Sequence, residues 1–337
     1  MQGSKTFGNQ RMTPRDYRIL QDIGRCGALT AEQIGAHHFG WAVVHKGIRT
    51  NPDSPPQLAI FANCQRRMKF LYDNRLVKRI DRFQLLKDGK QPYLYTLTRR
   101  GAQVLATYLE CELRDVAWRQ TDHRLRPNYI EHLILTNDVR LGVERAAQAS
   151  PYVELVEWLD EVTLAEQQRD ERIPLVLNAG SVQYVTLVPD AYFALKTRDG
   201  TLLHHFVEID RATEVVTSNN ESYRTWERKI RTYDAFFASD SYRQRYNTER
   251  GKLLTITTKW PRLERLFATT EQVVKQQRYW FTTHRKLSEP QIMPRERRKN
   301  GESAYIAVLP DVLHGHHWYI TNHDSKVHAL LEHATKE

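Results

Sequence analysis

The apolar positions of this 337-residue chain change period as it proceeds. Near the start they follow a helix. Thr13-Pro14 reads as an N-cap with proline at the first helical position, and Tyr17, Leu20 and Ile23 form one stripe that stops near Gly24. Thr30 opens a second, short helix, with Gln33 three residues on as in a capping box and Ile34 and Phe39 as apolar contacts. Gly40 to Gln57 contains Asn51-Pro52-Asp53-Ser54-Pro55-Pro56 and reads as an irregular insert. A third helix is expected from about Leu58 to Asn74, with Met68, Leu71 and Tyr72 turned inward. The period then shortens. Leu76 to Ile80 begins a strand, Asp88-Gly89-Lys90 turns, Tyr93 to Leu97 returns, and Thr98 opens a helix carrying Val104, Leu105 and Tyr108. Residues 1–12 are polar and are expected as a disordered tail.

The rest of the chain mixes long helices with short apolar runs. Asp115 to Ser150 has a helical pattern with Ile130, Leu133, Leu141 and Val143 inside, and Glu144 is expected as a surface acid or, alternatively, as an auxiliary ligand reaching toward the hairpin. Tyr152 to Trp158 is a strand, and Glu166 to Arg172 a solvated loop or helix face. Two apolar runs follow, Ala191 to Lys196 and Leu202 to Ile209. Asp199-Gly200 between them supplies the left-handed backbone position that a tight hairpin needs. Tyr223, Trp226, Ile230, Tyr233 and Phe237 then recur at helical spacing. Strands at Lys252–Thr258 and Tyr279–Thr283 flank a helix starting at Pro261, and short strands are expected at Ser303–Leu309 and His317–Thr321. Residues 285–301 read as a proline-broken basic loop. Strand, helix and strand after a hairpin predict helices packed on a mixed sheet, an α+β protein.

Composition narrows the setting. A net charge of +10 with an isoelectric point near 9.4 suits a polyanionic partner, because neutralising phosphates releases counterions. Cys26, Cys64 and Cys111 are odd in number and widely spaced, which argues against a disulfide framework and against a cysteine zinc site. No window approaches a membrane span and the first residues lack an apolar leader, so a cytoplasmic setting is expected. His314, His316, His317 and His323 suggest a transition metal, but no recognisable ligand spacing accompanies them. GxSxG, HExxH, CxxC and glycine-rich phosphate loops are absent from the sequence.

The hairpin carries the strongest chemistry. It should bring Asp190 opposite Glu208, with Asp210 on the same face two residues further along. Three carboxylates at one end of a hairpin repel one another unless a cation neutralises them, and an all-oxygen set suits Mg²⁺ or Mn²⁺. Lys229, at the border of the apolar stripe of the next helix, can hold its ammonium near them.

Pro189-Asp190, Glu208-Ile209-Asp210-Arg211-Ala212-Thr213-Glu214, Lys229-Ile230 and Tyr233 together resemble the replication-relaxation family of plasmids and other mobile elements. They also resemble the wider PD-(D/E)xK nuclease-like fold, the restriction-endonuclease-like α/β sandwich. That resemblance implies a metal-dependent DNA endonuclease or nickase in which Asp190, Glu208 and Asp210 hold the metal and Lys229 positions the attacking water. Asp210 stands where the wider fold has its lysine, so either Lys229 replaces that lysine from the helix or catalysis has been lost. The His132…Asn137-Asp138 spacing extends the family resemblance.

Residues 71–106 resemble a winged-helix DNA-binding domain, which implies double-stranded DNA as partner. Arg66, Arg67 and Lys69 on the third helix would face the major groove. Lys78, Arg79, Lys87 and Lys90 lie along the wing, and Arg295, Arg297, Arg298 and Lys299 suit a phosphate clamp. The expected organisation is a tail at 1–12, a winged helix-turn-helix at 13–112 and a nuclease-like domain at 113–337. A second reading stays open: a non-catalytic DNA-binding regulator of replication or transcription. Its nuclease-like domain would serve for homodimerisation or for docking replication or mobilisation proteins.

Overall fold

The computed structural model describes residues 6–7, 10–44, 57–60, 62–82, 93–120, 125–169, 171–177, 180–220, 223–295 and 304–331. The fold is α+β with a mixed sheet. Its contacts divide into two compact units. One comprises Met1–Leu141 with Pro290–Val308, the other Gly142–Glu289 with Leu309–Glu337. The expected boundary near residue 112 therefore falls inside the first unit.

In the first unit, helix α1 (Pro14–Arg25) begins at a complete capping box: Asp16 N donates to Thr13 Oγ1 at 3.3 Å, and Thr13 N donates to Asp16 Oδ2 at 2.6 Å. Thr30 and Gln33 form the same reciprocal pair at the start of α2 (Ala31–His38). Helix α3 (Ala62–Asp73) starts later than its sequence suggests, because Gln57–Ile60 pairs with Trp41–Val44 as an antiparallel ladder. The insert thus ends in strands at both sides. Strands β1 (Leu29–Thr30), β2 (Val77–Ile80) and β3 (Leu94–Leu97) form an antiparallel sheet with β3 in the middle.

Helix α4 (Arg99–Leu109) follows, capped by Thr98, whose Oγ1 accepts from Gly101 N at 3.0 Å. A Cβ on Gly101 would stand 2.1 Å from the Leu76 carbonyl oxygen, so only glycine lets this helix approach so closely. Ile19, Leu20, Ile23, Met68, Leu71, Leu76 and Leu105 form the shared core. Within the stretch expected as a tail, Thr6–Phe7 pairs with Gln10–Arg11, and Met12 is buried in this core. The basic loop is shorter than expected: Gln291–Arg295 pairs with Ala304–Val308.

Helix α5 (Pro127–Ala149) explains part of the family-like spacing by structure. Asn137 Nδ2 donates to the Cys26 and Ala28 carbonyls at 3.2 and 2.8 Å, and Gln33 Nε2 donates to Ile134 O and Asp138 Oδ1, both at 2.9 Å. These bonds tie the turn between α1 and α2 to α5. Glu144 is buried, against the expectation of a surface acid.

The second unit is a six-stranded mixed sheet covered by helices. The sheet and its main helices are, in chain order, β4 (Val153–Asp160), α6 (Glu161–Gln167), β5 (Ala191–Thr197), β6 (Leu202–Asp210), α7 (Trp226–Ala238), α8 (Asp240–Tyr246), β7 (Gly251–Thr257), α9 (Trp260–Val273), β8 (Tyr279–Thr283) and β9 (Tyr319–Ile320), with a separate antiparallel pair of Ile173–Val176 and Val182–Val185 and a short helix at His284–Ser288. The spatial order is β9-β8-β7-β6-β5-β4. Strand β6 has an antiparallel neighbour in β5 and a parallel one in β7.

The turn between β5 and β6 uses Gly200 at φ +87°. The register pairs Ala191 with Val207, which sets Asp190 opposite Glu208. Trp226, Ile230, Tyr233, Phe236 and Phe237 of α7 pack on Phe206, Leu253 and Phe281 of the sheet. Tyr223, expected to begin that stripe, lies ahead of the helix and is exposed. Among the described residues no helix is long and apolar enough to cross a membrane.

Candidate functional site

Glu208 is the centre of the candidate site. It lies near the end of β6 on the face covered by α7, and only 2% of it is exposed. Lys229 Nζ donates to Glu208 Oε2 at 2.9 Å, and the Tyr233 hydroxyl donates to Oε1 at 2.6 Å. Lys229 and Tyr233 are four residues apart on α7, one helical turn, so both reach the same carboxylate. The Lys229 ammonium also lies 3.5 Å from Glu214 Oε2. Asp190, at the facing strand end, accepts from Ile209 N through Oδ2 at 2.7 Å, which pins the last pair of the hairpin.

Burial pushes the Glu208 carboxyl up to about 7. The Asp190 charge adds to that push, while Lys229 and Tyr233 oppose it. Burial works against the Lys229 ammonium, but Glu208, Asp190 and Glu214 outweigh it and hold its pKa above the ordinary lysine value. Burial, and then the Glu208 charge, push the Tyr233 hydroxyl well above the usual phenol range. Lys229 and Tyr233 therefore remain donors. Burial thus disfavours the charged form of Glu208, while Lys229 and Tyr233 hold it.

Asp210 stands apart from that pair. Arg262 grips it with two bonds, Nη2 to Oδ1 at 2.7 Å and Nε to Oδ2 at 2.9 Å, and Thr257 Oγ1 donates to Oδ2 at 2.8 Å. Arg262 also donates to the Glu214 carbonyl at 2.8 Å, so it fastens the segment leaving β6 as well. Asp190, Glu208 and Asp210 do not gather ligand atoms within a common 4.8 Å. The carboxylates facing each other are Asp190 and Glu208, and Asp210 anchors α9.

Arg262 was not foreseen, although the sequence holds a signal. A cation in the first turn of a helix opposes the helix dipole, so an arginine directly after Pro261 calls for a nearby anion. Glu214 and Thr257 complete the surroundings from the quoted acidic run and from the end of β7.

The basic residues of the first unit separate by role. Arg66 is exposed and bonds Asn63, Lys69 is exposed and paired with Asp73 at 2.7 Å, and Lys78 is exposed on β2. Arg67 instead turns to the body of the unit: its guanidinium pairs with buried Asp16, with Nε 2.9 Å from Oδ1, and lies over the Phe70 ring. The Arg79 guanidinium sits over the rings of Tyr72, Tyr93 and Tyr95 at 4.1, 4.6 and 5.7 Å. Lys87, Lys90, Arg297, Arg298 and Lys299 lie outside the described residues. Arg295 ends the strand Gln291–Arg295.

The fold and the site thus define an α+β protein whose mixed sheet bears a buried carboxylate–lysine–tyrosine centre. The sequence model described as replication-relaxation matches residues 20–250, and the chain belongs to the replication-relaxation family. The match takes in the whole of Asp190, Glu208, Asp210, Lys229 and Tyr233. No curated protein and no solved structure matches the chain.

Proposed function

We propose that this protein binds double-stranded DNA in the replication or mobilisation of a plasmid or other mobile element, and that it cuts one DNA strand at the Glu208 centre in a divalent-metal-dependent reaction. Family membership supports the replication setting. The observation that carries catalysis is Lys229 at 2.9 Å from Glu208, a lysine delivered by α7 to the carboxylate pair that lacks one on the strand.

Helices α1 to α3 followed by the β2–β3 ladder have the element order of a winged helix, and the basic character of α3 and β2 supports DNA as its ligand. In the second unit, Asp190 and Glu208 provide the oxygen donors that Mg²⁺ or Mn²⁺ prefers. Asp210, neutralised by the buried Arg262 guanidinium and not gathered with the other two carboxylates, is not in the donor set. A bound divalent ion would polarise the scissile phosphate and lower the pKa of a water. Asp190 and Glu208, deprotonated, would hold the ion. Lys229 keeps its ammonium and offsets charge developing on the phosphate oxygens. Tyr233 fixes the orientation of the Glu208 carboxylate through its short hydroxyl bond.

One observation favours the regulator instead. Both Glu208 oxygens already accept hydrogen bonds, so the centre also works as a buried clamp between β6 and α7. In that case the second unit would serve for homodimerisation or for docking a replication protein.

Purified protein incubated with supercoiled plasmid and Mg²⁺ or Mn²⁺ separates the two readings. Nicked circles from the wild type, lost with Glu208→Gln while DNA binding persists, support the nickase. Intact supercoiled DNA under every divalent ion, with tight DNA binding, leaves the regulator.

A further inference from the structure

A second constellation lies in the second unit, beyond β9. After Ile320 the chain turns and returns so that His328 pairs with Trp318: His328 N donates to Trp318 O at 2.7 Å, and Trp318 N to His328 O at 3.1 Å. The return brings the His328 ring back against His323, with ring centres 4.6 Å apart and planes at 82°. Asp324 lies between them. Its Oδ1 is 2.6 Å from His328 Nε2 and 3.2 Å from His323 Nδ1, and it accepts from Lys326 N at 3.1 Å. One donor atom from each of the three residues lies within 4.8 Å of the others.

His323 and His328 also line a cavity of about 700 Å³, whose walls include Arg198, Lys252 and Trp280. We infer that His323, Asp324 and His328 bind a divalent transition-metal ion of the zinc class, with a remaining coordination position open to this cavity. Two imidazole nitrogens and one carboxylate oxygen are the donors such ions prefer, and three protein ligands with one open position is the arrangement of a site that takes water or an exogenous ligand. Bonds of about 2.0–2.2 Å at a tetrahedral ion put donor atoms roughly 3.3 Å apart. The His323–Asp324 separation already matches. The 2.6 Å gap to His328 holds a hydrogen bond, and the ion takes the place of that shared proton as the gap widens.

With Arg198 and Lys252 on the cavity walls, water or an anion such as phosphate would complete the coordination. The donor set differs from the all-oxygen pair of Asp190 and Glu208, because Mg²⁺ binds neutral imidazole poorly. The histidine clustering visible in the sequence pointed to this end of the chain. The ligands are nevertheless His323 and His328 around Asp324. His314 bonds Ser150 Oγ at 3.0 Å.

The test is titration of the protein with Zn²⁺ followed by calorimetry, and with Co²⁺ followed by its visible absorption. One equivalent of Zn²⁺ is expected in the wild type, in Glu208→Gln and in His314→Ala, with millimolar Mg²⁺ unable to compete. Affinity is expected to fall at least about 100-fold in His323→Gln/His328→Gln, more than the roughly 10–100-fold that losing an outer-shell partner of a metal ligand costs. Should that double variant melt early by circular dichroism, the single His323→Gln decides, since His323 is at the surface. Zn²⁺ affinity unchanged in these histidine variants overturns the site. So does the absence of Zn²⁺ binding by folded wild type. Loss of Zn²⁺ binding in Glu208→Gln would assign the ion to the other centre.

Discussion

Lys229 Nζ lies 2.9 Å from Glu208 Oε2, across the interface between α7 and the central strand β6. The lysine reaches the carboxylate from a helix, while the strand position two residues beyond Glu208 holds an aspartate. The pair exists only when α7 is docked on the sheet. If the centre cuts DNA, Lys229→Ala lowers the nicking rate by at least about 100-fold while leaving DNA affinity nearly unchanged. Single-turnover nicking alongside fluorescence anisotropy reads both quantities. Nicking that survives in Lys229→Ala but not in Glu208→Gln would remove the lysine from the reaction and keep the carboxylate.

The pH dependence follows from the Glu208 carboxyl, pushed up to about 7. A metal ligand must be deprotonated, so nicking at limiting Mg²⁺ rises as pH passes through about 7 and levels above it. Stability moves the other way. A carboxyl with a raised folded-state pKa contributes fully below the ordinary 4.5, and that contribution is lost as pH climbs through 7. Urea midpoints of wild type and Glu208→Gln should therefore diverge between pH 5 and pH 8, with the variant relatively more stable at the alkaline end. Parallel pH profiles would contradict the assignment of the titrating proton to Glu208.

Asp210 and Arg262 form a buried two-bond ion pair, so removing one partner strands a charge. Arg262→Leu is expected to cost about 3–5 kcal/mol of unfolding free energy, and Asp210→Asn/Arg262→Leu less than the sum of its parts. Denaturant titration of the three variants closes the cycle.

On the first unit, Arg66→Ala and Lys78→Ala should weaken DNA binding and each lower the slope of log affinity against log salt by about 1, as one lost phosphate contact does. Arg67→Ala should instead lower the thermal midpoint, because Asp16 is buried and loses its guanidinium. An unchanged melting temperature with reduced affinity would return Arg67 to the DNA face.

Gly101→Ala brings a methyl group against the Leu76 carbonyl and should destabilise the first unit, with α4 forced away from β2. Hydrogen exchange at α4 amides reads this directly.

The local elements were legible where a side chain closes its own bond. Thr13, Thr30 and Thr98 each announced a helix start that the structure has, and Asp199-Gly200 announced the hairpin and with it the Asp190–Glu208 register. The approach of Lys229 to Glu208 was legible because the stripe on α7 fixed which edge the lysine occupies. Long-range polar pairing was not. Nothing local to Asp210 names Arg262, 52 residues away, and nothing local to Arg67 names Asp16. The ladder joining Trp41–Val44 to Gln57–Ile60 was hidden for a related reason: the prolines between them dominate the sequence pattern, while the pairing that rescues both ends is a property of two separate segments.

The bond between Asp210 and Arg262 also limits how such a centre can change by descent. Placing a lysine at 210 by a single substitution would set two buried cations face to face and release α9 from β6. A strand-borne lysine therefore requires Arg262 to change too, with an intermediate less stable than either end. A strand-borne lysine and the Asp210–Arg262 bond thus exclude one another, and in this chain the strand position serves to hold the neighbouring helix in place.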